Sequence, residues 1–506
     1  TAVFVVLFVF VTWLGFAAAR WRRGDLSQLN EWGLAGRRFG TFITWFLLGG
    51  DLYTAYTFIA VPALIYGAGA IGFFAVPYTV MVYPIVYVVF PRLWSVCHRH
   101  GYVTTADFVR GRFGNRWLAL AIGVTGILAT MPYIALQLVG MEVVIGGLGF
   151  DTTTGLAGDL PLIIAFIILA AFTYTSGLRA PAAIAVVKDL LVYIAVIAAI
   201  VVVPIQLGGF GKIFAAVPPA KLLLATPPAG SFGSFSAYAT LAFGSALALF
   251  LYPHAATAVL GASGPRIIRR NAAILPAYSL VLGLLALLGF MAIAAGVAKL
   301  PEFTAGFKNY GNNFAVPALF LHAFPSWFVG LAFAAIAIGA LVPAAIMSIA
   351  TANIFTRNIY REFINPECTD AQESRIAKIV SLIVKAGALI FVFALPLQYA
   401  LWLQLLGGVW IIQTLPAVVL ALFTRFFHGW ALLVGWVTGM VLGTYWAAAV
   451  HFAPIYPLHL LGTTIPCYIA LSSLVVNIAI AFALSLYLNA VASDRHRDLT
   501  AASDYI

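Results

Sequence analysis

Apolar runs of about twenty residues recur along almost the whole chain, and a run of that length constrains the fold more than any motif. In hydrocarbon the backbone finds no water, so each run must satisfy its own N–H and C=O groups as a helix crossing a membrane. Thirteen runs are found, approximately at 1–19, 41–67, 70–96, 117–149, 160–177, 180–204, 236–263, 271–298, 327–353, 375–395, 398–424, 427–451 and 463–488. Composition agrees: 63% of the 506 residues are hydrophobic and 8% charged, with mean hydropathy +1.03, where soluble proteins carry about 25% charge. The expected fold class is therefore an all-α polytopic membrane protein with thirteen transmembrane helices. A net charge of +11 is read against the bilayer before it is read as affinity for nucleic acid, and no nucleic-acid partner is expected.

The basic residues fall largely on one side. Arg20, Arg22, Arg23, Arg37 and Arg38 follow run 1; Arg92, Arg99, Arg110, Arg112 and Arg116 follow run 3; Arg179 follows run 5; Arg266, Arg269 and Arg270 follow run 7. Arg357, Arg361, Arg375 and Lys378 follow run 9, Arg425 follows run 11, and Arg495 and Arg497 follow run 13. The other side holds Lys212, Lys221, Lys299 and Lys308, leaving Lys188 and Lys385 inside runs. The positive-inside rule then places the N-terminus outside and the C-terminus in the cytoplasm. Run 1, with no basic residues before it and WRRGD after it, reads as a retained helix rather than a signal peptide. The proline-bearing loop at 205–235 reads as an ordered external cap or a re-entrant segment. Cys97, Cys368 and Cys467 have neither metal-site nor disulfide spacing. The chain also lacks the HExxH and Gly-x-Ser-x-Gly patterns of hydrolases, and no enzyme activity is expected.

Two runs are interrupted. The second contains LLGGDLYTAY, in which Gly49, Gly50 and Asp51 stand in an otherwise apolar segment; a charge there costs at least ~2.5–3.5 kcal/mol and asks for a function. The seventh contains FLYPHAATAV, where Pro253 removes a backbone hydrogen bond beside His254. If run 2 opens one unit of five helices and run 7 another, the second unit inserts upside down, because five is odd. Paired broken helices at matching places in inverted repeats mark the central site of a transporter, with half-helix N-termini facing anions and freed carbonyls facing cations. Asp51 would then lie at the cation end of the break.

At this point the chain resembles the sodium:solute symporter family over runs 2 to 11. GLAGRRFGTFITWFLLGGDLYTAYTFIAVPALIYGAG is similar to that family's second helix, and TTADFVRGRFGN (104–115) to its motif after the third. YTSGLRAPAAIAVVKD (174–189), the Pro-His at 253–254 and PAAIMSIATANIFTRNIYREF (343–363) follow in the family's order. Among subfamilies, GGDLYTAY, YPHAAT and AIMSIATAN look most like monocarboxylate uptake permeases. The resemblance implies a LeuT-type 5+5 inverted repeat with one extra N-terminal and two extra C-terminal helices. Its parts would be 1–40, an extra helix and loop; 41–204, the first repeat; 205–235, the external loop; 236–424, the second repeat; and 425–506, two helices and a cytoplasmic tail. A bacterial inner membrane is implied as the location, with no cofactor and with H+ or Na+ as the coupling ion.

The family's sodium site, carried over, would use the carbonyls of Gly49, Leu52 and Ala345 and the hydroxyl of Ser348, with Asp51 and Asp189 nearby. Two residues depart from the pattern. The family has a second hydroxyl after Ser348, where this chain has Ile349, which offers a hard cation no oxygen. The residue before Asp189, usually neutral, is Lys188. An ammonium on a flexible stem can occupy a site that lost a ligand and can exchange protons when buried, so H+ coupling through Lys188 with Asp51 or Asp189 is favoured over Na+. The alternative is that Lys188 pairs with an acid and only orients its helix.

A small carboxylate needs donors. Those expected are the N–H groups at the half-helix start after Gly50, the hydroxyls of Tyr53, Thr54, Tyr56 and Tyr252, and His254. Gln137 and Gln404 lie in or near runs without an assigned role; Glu142, close to the outer end of run 4, is expected to be a solvated vestibule residue, with direct substrate contact as the alternative; Lys385 is expected to pair or pack, and Gly407 and Gly408 to permit gate closure or close packing. The function expected is symport of a short monocarboxylate such as lactate, pyruvate, acetate or propionate, with alanine also in range, by alternating access. The alternatives are a membrane nutrient sensor acting through a separate partner and a Na+-coupled transporter of another small organic solute. Oligomeric state is not legible.

Overall fold

The computed structural model of the chain describes all residues except 22–23, 51, 151–155, 395–399 and 492–497. Asp51 thus lies outside the described residues, as do Arg22, Arg23, Arg495 and Arg497. Among the described residues ten helices are long and apolar enough to cross a membrane, or eleven if the bent pair Gly233–Leu249 and Pro253–Leu260 is one span.

The expected thirteen are not confirmed among the described residues. Helix Thr41–Gly50 has 10 residues and is too short to cross alone. Its continuation, Tyr56–Ala68, meets Ala75–His100 at a tight turn over Gly69–Phe74, with Gly69 at φ 75°, so runs 2 and 3 are contiguous over the 45 residues Tyr56–His100 and part at the turn, where the sequence puts their boundary. Run 10 lies in helix Asp370–Ala394, which borders residues outside the description. Run 13 starts late: Thr463–Tyr468 is a strand paired antiparallel with Ile455–Leu460, and the helix is Ile469–Val491. Leu461 (φ 49°) and Gly462 (φ 78°) join the strands through a two-residue turn with both φ positive, the twist a hairpin favours.

Helix Ser326–Ile354 continues to Ile364 and is the core of the bundle: its most apolar window is 94% buried, against 17% for the N-terminal helix Ala2–Arg20. The 205–235 loop carries two short helices, Phe210–Ala216 and Pro219–Leu222. Lys221 Nζ donates to the Tyr66 carbonyl at 2.6 Å, and a Cβ on Gly69 (φ 75°) would sit 2.4 Å from the Lys221 carbonyl. The loop is an ordered cap on the end of the first broken span.

The sequence motifs prove to be clasps on the arginine-rich side. Thr104 caps helix Thr105–Phe113 in a capping box with Asp107, and both reach Asn358 at 2.8 Å. Arg110 pairs with Glu362 at 2.9 Å, which ties this short helix to the end of the core helix. In the Gly-Leu-Arg turn, Arg179 pairs with Glu31 at 2.5 Å, and Gly177 (φ 57°) has room for no Cβ, which would lie 2.2 Å from the Trp32 carbonyl.

One backbone link fixes the relation of the two broken spans. The Phe39 amide donates to the Gly261 carbonyl at 3.1 Å and the Ser263 amide to the Phe39 carbonyl at 2.9 Å. The start of the first broken span therefore lies beside the end of the second, so the first enters where the second leaves.

Candidate functional site

Helix Thr41–Gly50 stops at the glycine pair, and helical geometry resumes at Ala55 and Tyr56. A break of this kind leaves carbonyls without intrahelical donors, which in an apolar interior must be met. Lys188, on helix Arg179–Leu207, meets them: its Nζ donates to the Gly50 carbonyl and, at 3.2 Å, to the Tyr53 carbonyl. The same ammonium lies 3.1 Å from Asp189 Oδ1, both side chains being fully buried. Asp189 Oδ2 accepts from the Tyr278 hydroxyl, and the Tyr278 carbonyl accepts from the Tyr53 hydroxyl. Lys188, Asp189, Tyr278 and Tyr53 thus form a closed polar chain around the first break.

Gly50 has a steric reason. A Cβ there would stand 2.8 Å from Lys188 Nζ and 3.1 Å from Asp189 Oδ2. Gly49 is equally confined, with Leu275 Cδ2 at 2.9 Å from its imagined Cβ. The glycine pair therefore admits the ion pair to the backbone.

Three of the four sodium ligands carried over from the family, the Gly49 and Ala345 carbonyls and the Ser348 hydroxyl, take part in hydrogen bonds within the protein. The Gly49 carbonyl accepts from the Leu52 amide at 3.0 Å. The Ser348 hydroxyl donates to the Ala345 carbonyl at 2.8 Å on its own helix, and both residues are fully buried. Among the described residues the cation bonded to the break is the Lys188 ammonium.

On the substrate side the structure corrects one expectation. The amides at the start of the second half-helix are not open donors: Thr54 N–H donates to Thr57 Oγ1 at 3.0 Å, Ala55 N–H to Gln137 Oε1 at 3.1 Å, and Tyr56 N–H to Thr54 Oγ1 at 3.0 Å. Two threonines three residues apart, Thr54 and Thr57, cap their own helix end. The Thr54 hydroxyl is used in that cap, and the Tyr53 hydroxyl belongs to the cation chain.

Tyr252 and His254 lie at the second break, where the chain bends by 49° between its two half-helices. Tyr133 packs on both, with ring centroids 5.3 Å from Tyr252 and 5.4 Å from His254. Tyr252 donates to the Gln404 carbonyl at 3.1 Å. Tyr56 meets Tyr78 edge to face, centroids 6.4 Å apart. Helix Arg116–Gly147 thus touches both breaks, through Gln137 at Ala55 and Tyr133 at His254. Close packing holds it there: a Cβ on Gly140 would lie 2.2 Å from that of Ala55, and one on Gly126 would lie 2.9 Å from Pro253 Cγ. A cavity of about 30 Å³ lined by Leu52, Tyr83, Phe250 and Ala255 lies between the broken spans, room for a water molecule or two.

The remaining polar residues sort as follows. Lys385 is buried and donates to Ser381 Oγ at 2.7 Å on its own helix; Glu142 is partly exposed near the end of its helix. Gly407 faces the second break, its imagined Cβ 2.6 Å from Tyr252 Oη. Tyr278, Gln137 and Tyr133 carry the site without having been assigned a place in it from the sequence. A tyrosine or glutamine in an apolar run is a weak signal when its partner lies far away in the chain.

The model of the sodium:solute symporter family matches residues 32–443. The chain belongs to that family. A monocarboxylate transport permease protein of Rhizobium johnstonii is 51% identical over 502 residues, covering 98% of each chain. A Bacillus subtilis protein named as an uncharacterised symporter is 33% identical, over 86% of this chain and 85% of its own. Among solved structures, a Na+-coupled sialic acid symporter in an outward-open state superposes with a TM-score of 0.74 at 13% identity, covering 96% of this chain and 97% of that one. At that identity the likeness shows the fold alone, a LeuT-like helical transporter. The chain is a multi-pass membrane transporter of a small solute and not an enzyme.

Proposed function

We propose that this symporter takes up short-chain monocarboxylates such as lactate, pyruvate, acetate or propionate, with alanine also in range, together with a proton, by alternating access between inverted repeats at 41–204 and 236–424. The observation that carries the reading is the Lys188 ammonium bonded to the Gly50 and Tyr53 carbonyls and paired with Asp189. A fixed cation at the break removes the need for sodium there, and Ile349 withholds one of the oxygens sodium would use. The pair can lose and regain a proton without dismantling the helix, and the break loosens when its carbonyls lose the ammonium. Neighbouring Asp51 is the second candidate in the proton path.

The substrate carboxylate is proposed to meet His254, Tyr56 and Tyr252, with Tyr133 and Gln137 shaping the pocket. This rests on the ring cluster at the second break and on the printed name of the Rhizobium relative. One proton with one monoanion makes the cycle electroneutral. The second reading, sodium as co-substrate, is favoured by the family itself and by the Na+-coupled neighbour. The N-terminus is placed outside and the arginine-rich side in the cytoplasm of a bacterial inner membrane.

Current measured on a solid-supported membrane tests both parts. Jumps of lactate, pyruvate and propionate are expected to give no net charge movement while acidifying the liposome lumen, and a jump of alanine, a zwitterion at neutral pH, to carry one positive charge inward with each proton. Sustained inward current that requires sodium would replace the proton reading, and absence of any response to the acids would remove the substrate reading.

A further inference from the structure

On the arginine-rich side the segment 498–506 folds back onto the bundle. Asp498 pairs with Arg112 at 2.5 Å and stands 3.7 Å from Arg425, and Asp504 pairs with Arg99 at 2.9 Å and His100 at 2.8 Å. Between this tail and the ends of Ala75–His100 and Gln404–Leu422 lies an open pocket of about 290 Å³, its wall including Arg92, Arg112, Phe423, Arg425, Ala502 and Tyr505.

Three guanidiniums face this pocket, and among the described residues one carboxylate, Asp498, answers them. Arg112 is 6% exposed and is held rigidly by the carbonyls of Ala421 and Thr424, at 3.4 and 3.1 Å. Arg92 has no carboxylate partner among the described residues: it reaches the Leu422 carbonyl at 3.4 Å and lies over the Phe423 ring at 4.8 Å. Phe423 is exposed where an apolar span ends, the depth at which lipid headgroups lie. Basic pockets between helix ends at that depth suit anionic headgroups.

We propose that this pocket is a binding site for a phosphate group, carried by an anionic lipid headgroup or by a soluble phosphate ester, and distinct from the transport site. A tetrahedral phosphate presents oxygens in several directions and can engage three guanidinium forks; a planar monocarboxylate meets one. Because Arg112 and Arg425 also hold Asp498, an occupant of the pocket and the docked tail share their anchors.

The test is the thermal unfolding midpoint of the full chain in neutral detergent, titrated at matched ionic strength with phosphatidylglycerol, diacylglycerol, glycerol 3-phosphate and lactate. Phosphatidylglycerol is expected to raise the midpoint saturably, and Arg92→Gln to weaken half-saturation by about tenfold or more, the scale of a lost charge-assisted bond. Arg425→Gln serves as the second variant, with the same expectation. A rise with phosphatidylglycerol alone assigns the phosphate to lipid, and a rise also with glycerol 3-phosphate assigns it to a soluble ester. An equal response to diacylglycerol or lactate, or titrations unchanged in both variants, would overturn the proposal.

Discussion

Replacing Lys188 with methionine, nearly its equal in volume, isolates the charge. The variant leaves Asp189 Oδ1 buried without its partner and strips the Gly50 and Tyr53 carbonyls of their donor. Breaking a buried pair from one side costs ~3–5 kcal/mol, and each orphaned carbonyl adds ~1–3 kcal/mol unless water reaches it. Tyr278 still donates to Asp189 Oδ2, so the lower end of the combined ranges, about 5 kcal/mol in total, is expected. The double variant Lys188→Met/Asp189→Asn removes both charges and should recover ~2 kcal/mol or more, because the uncompensated carboxylate is the larger part of the loss. Unfolding followed by tryptophan fluorescence in mixed micelles reads both differences. A Lys188→Met protein within ~0.5 kcal/mol of wild type, the ordinary scatter of a surface change, would refute the reasoning, as would a double variant less stable than the single one.

Gln137→Leu leaves the Ala55 amide without its acceptor, and a destabilisation of ~1–3 kcal/mol with a raised KM for uptake is expected; unchanged stability and KM would remove Gln137 from the site. Gly407→Ala puts a Cβ 2.6 Å from Tyr252 Oη and 2.7 Å from the Ala129 carbonyl, an overpacking of ~1–3 kcal/mol that should slow uptake while leaving the Lys188 pair intact; wild-type velocity would show that the helices part easily there. The tail responds to pH through Asp504, whose carboxyl is held well below the usual carboxylate range by the Ala501 amide, then by His100 and Arg99. A folded-state pKa below the unfolded value of about 3.9 gives stability that is complete above that value and is lost as pH falls through the folded one. A spin label on Ile506→Cys, with Cys467→Ser, should therefore report the same docked tail from pH 8 to pH 5; release within that interval would contradict the assignment.

What the sequence makes legible is what is costly in hydrocarbon. Gly49, Gly50 and Pro253 reveal the breaks, because residues that cannot sustain a helix stand out inside one, and Lys188 with Asp189 is visible because adjacent charges in an apolar run must be partnered. The partners are not legible. Tyr278 lies 89 residues from Asp189 and Gln137 lies 82 from Ala55, distances over which no local periodicity carries information. Thr54 and Thr57 were readable in hindsight as a helix cap, since threonines near a half-helix start compete for its amides. The hairpin at 455–468 was hidden by its apolar composition: Ile, Tyr, Leu and Pro suit an edge strand as well as the end of a span. The count of thirteen spans is not confirmed among the described residues, although the boundary drawn between runs 2 and 3 falls where the chain turns at Gly69–Phe74.

The proposed place of Lys188 in the cation position is tested most directly by uptake of labelled lactate into proteoliposomes under separately imposed gradients, for wild type and Lys188→Ala. Accumulation driven by an inward proton gradient without sodium, and abolished in the variant, is the predicted result. Accumulation that requires a sodium gradient, with the variant still transporting, would contradict it.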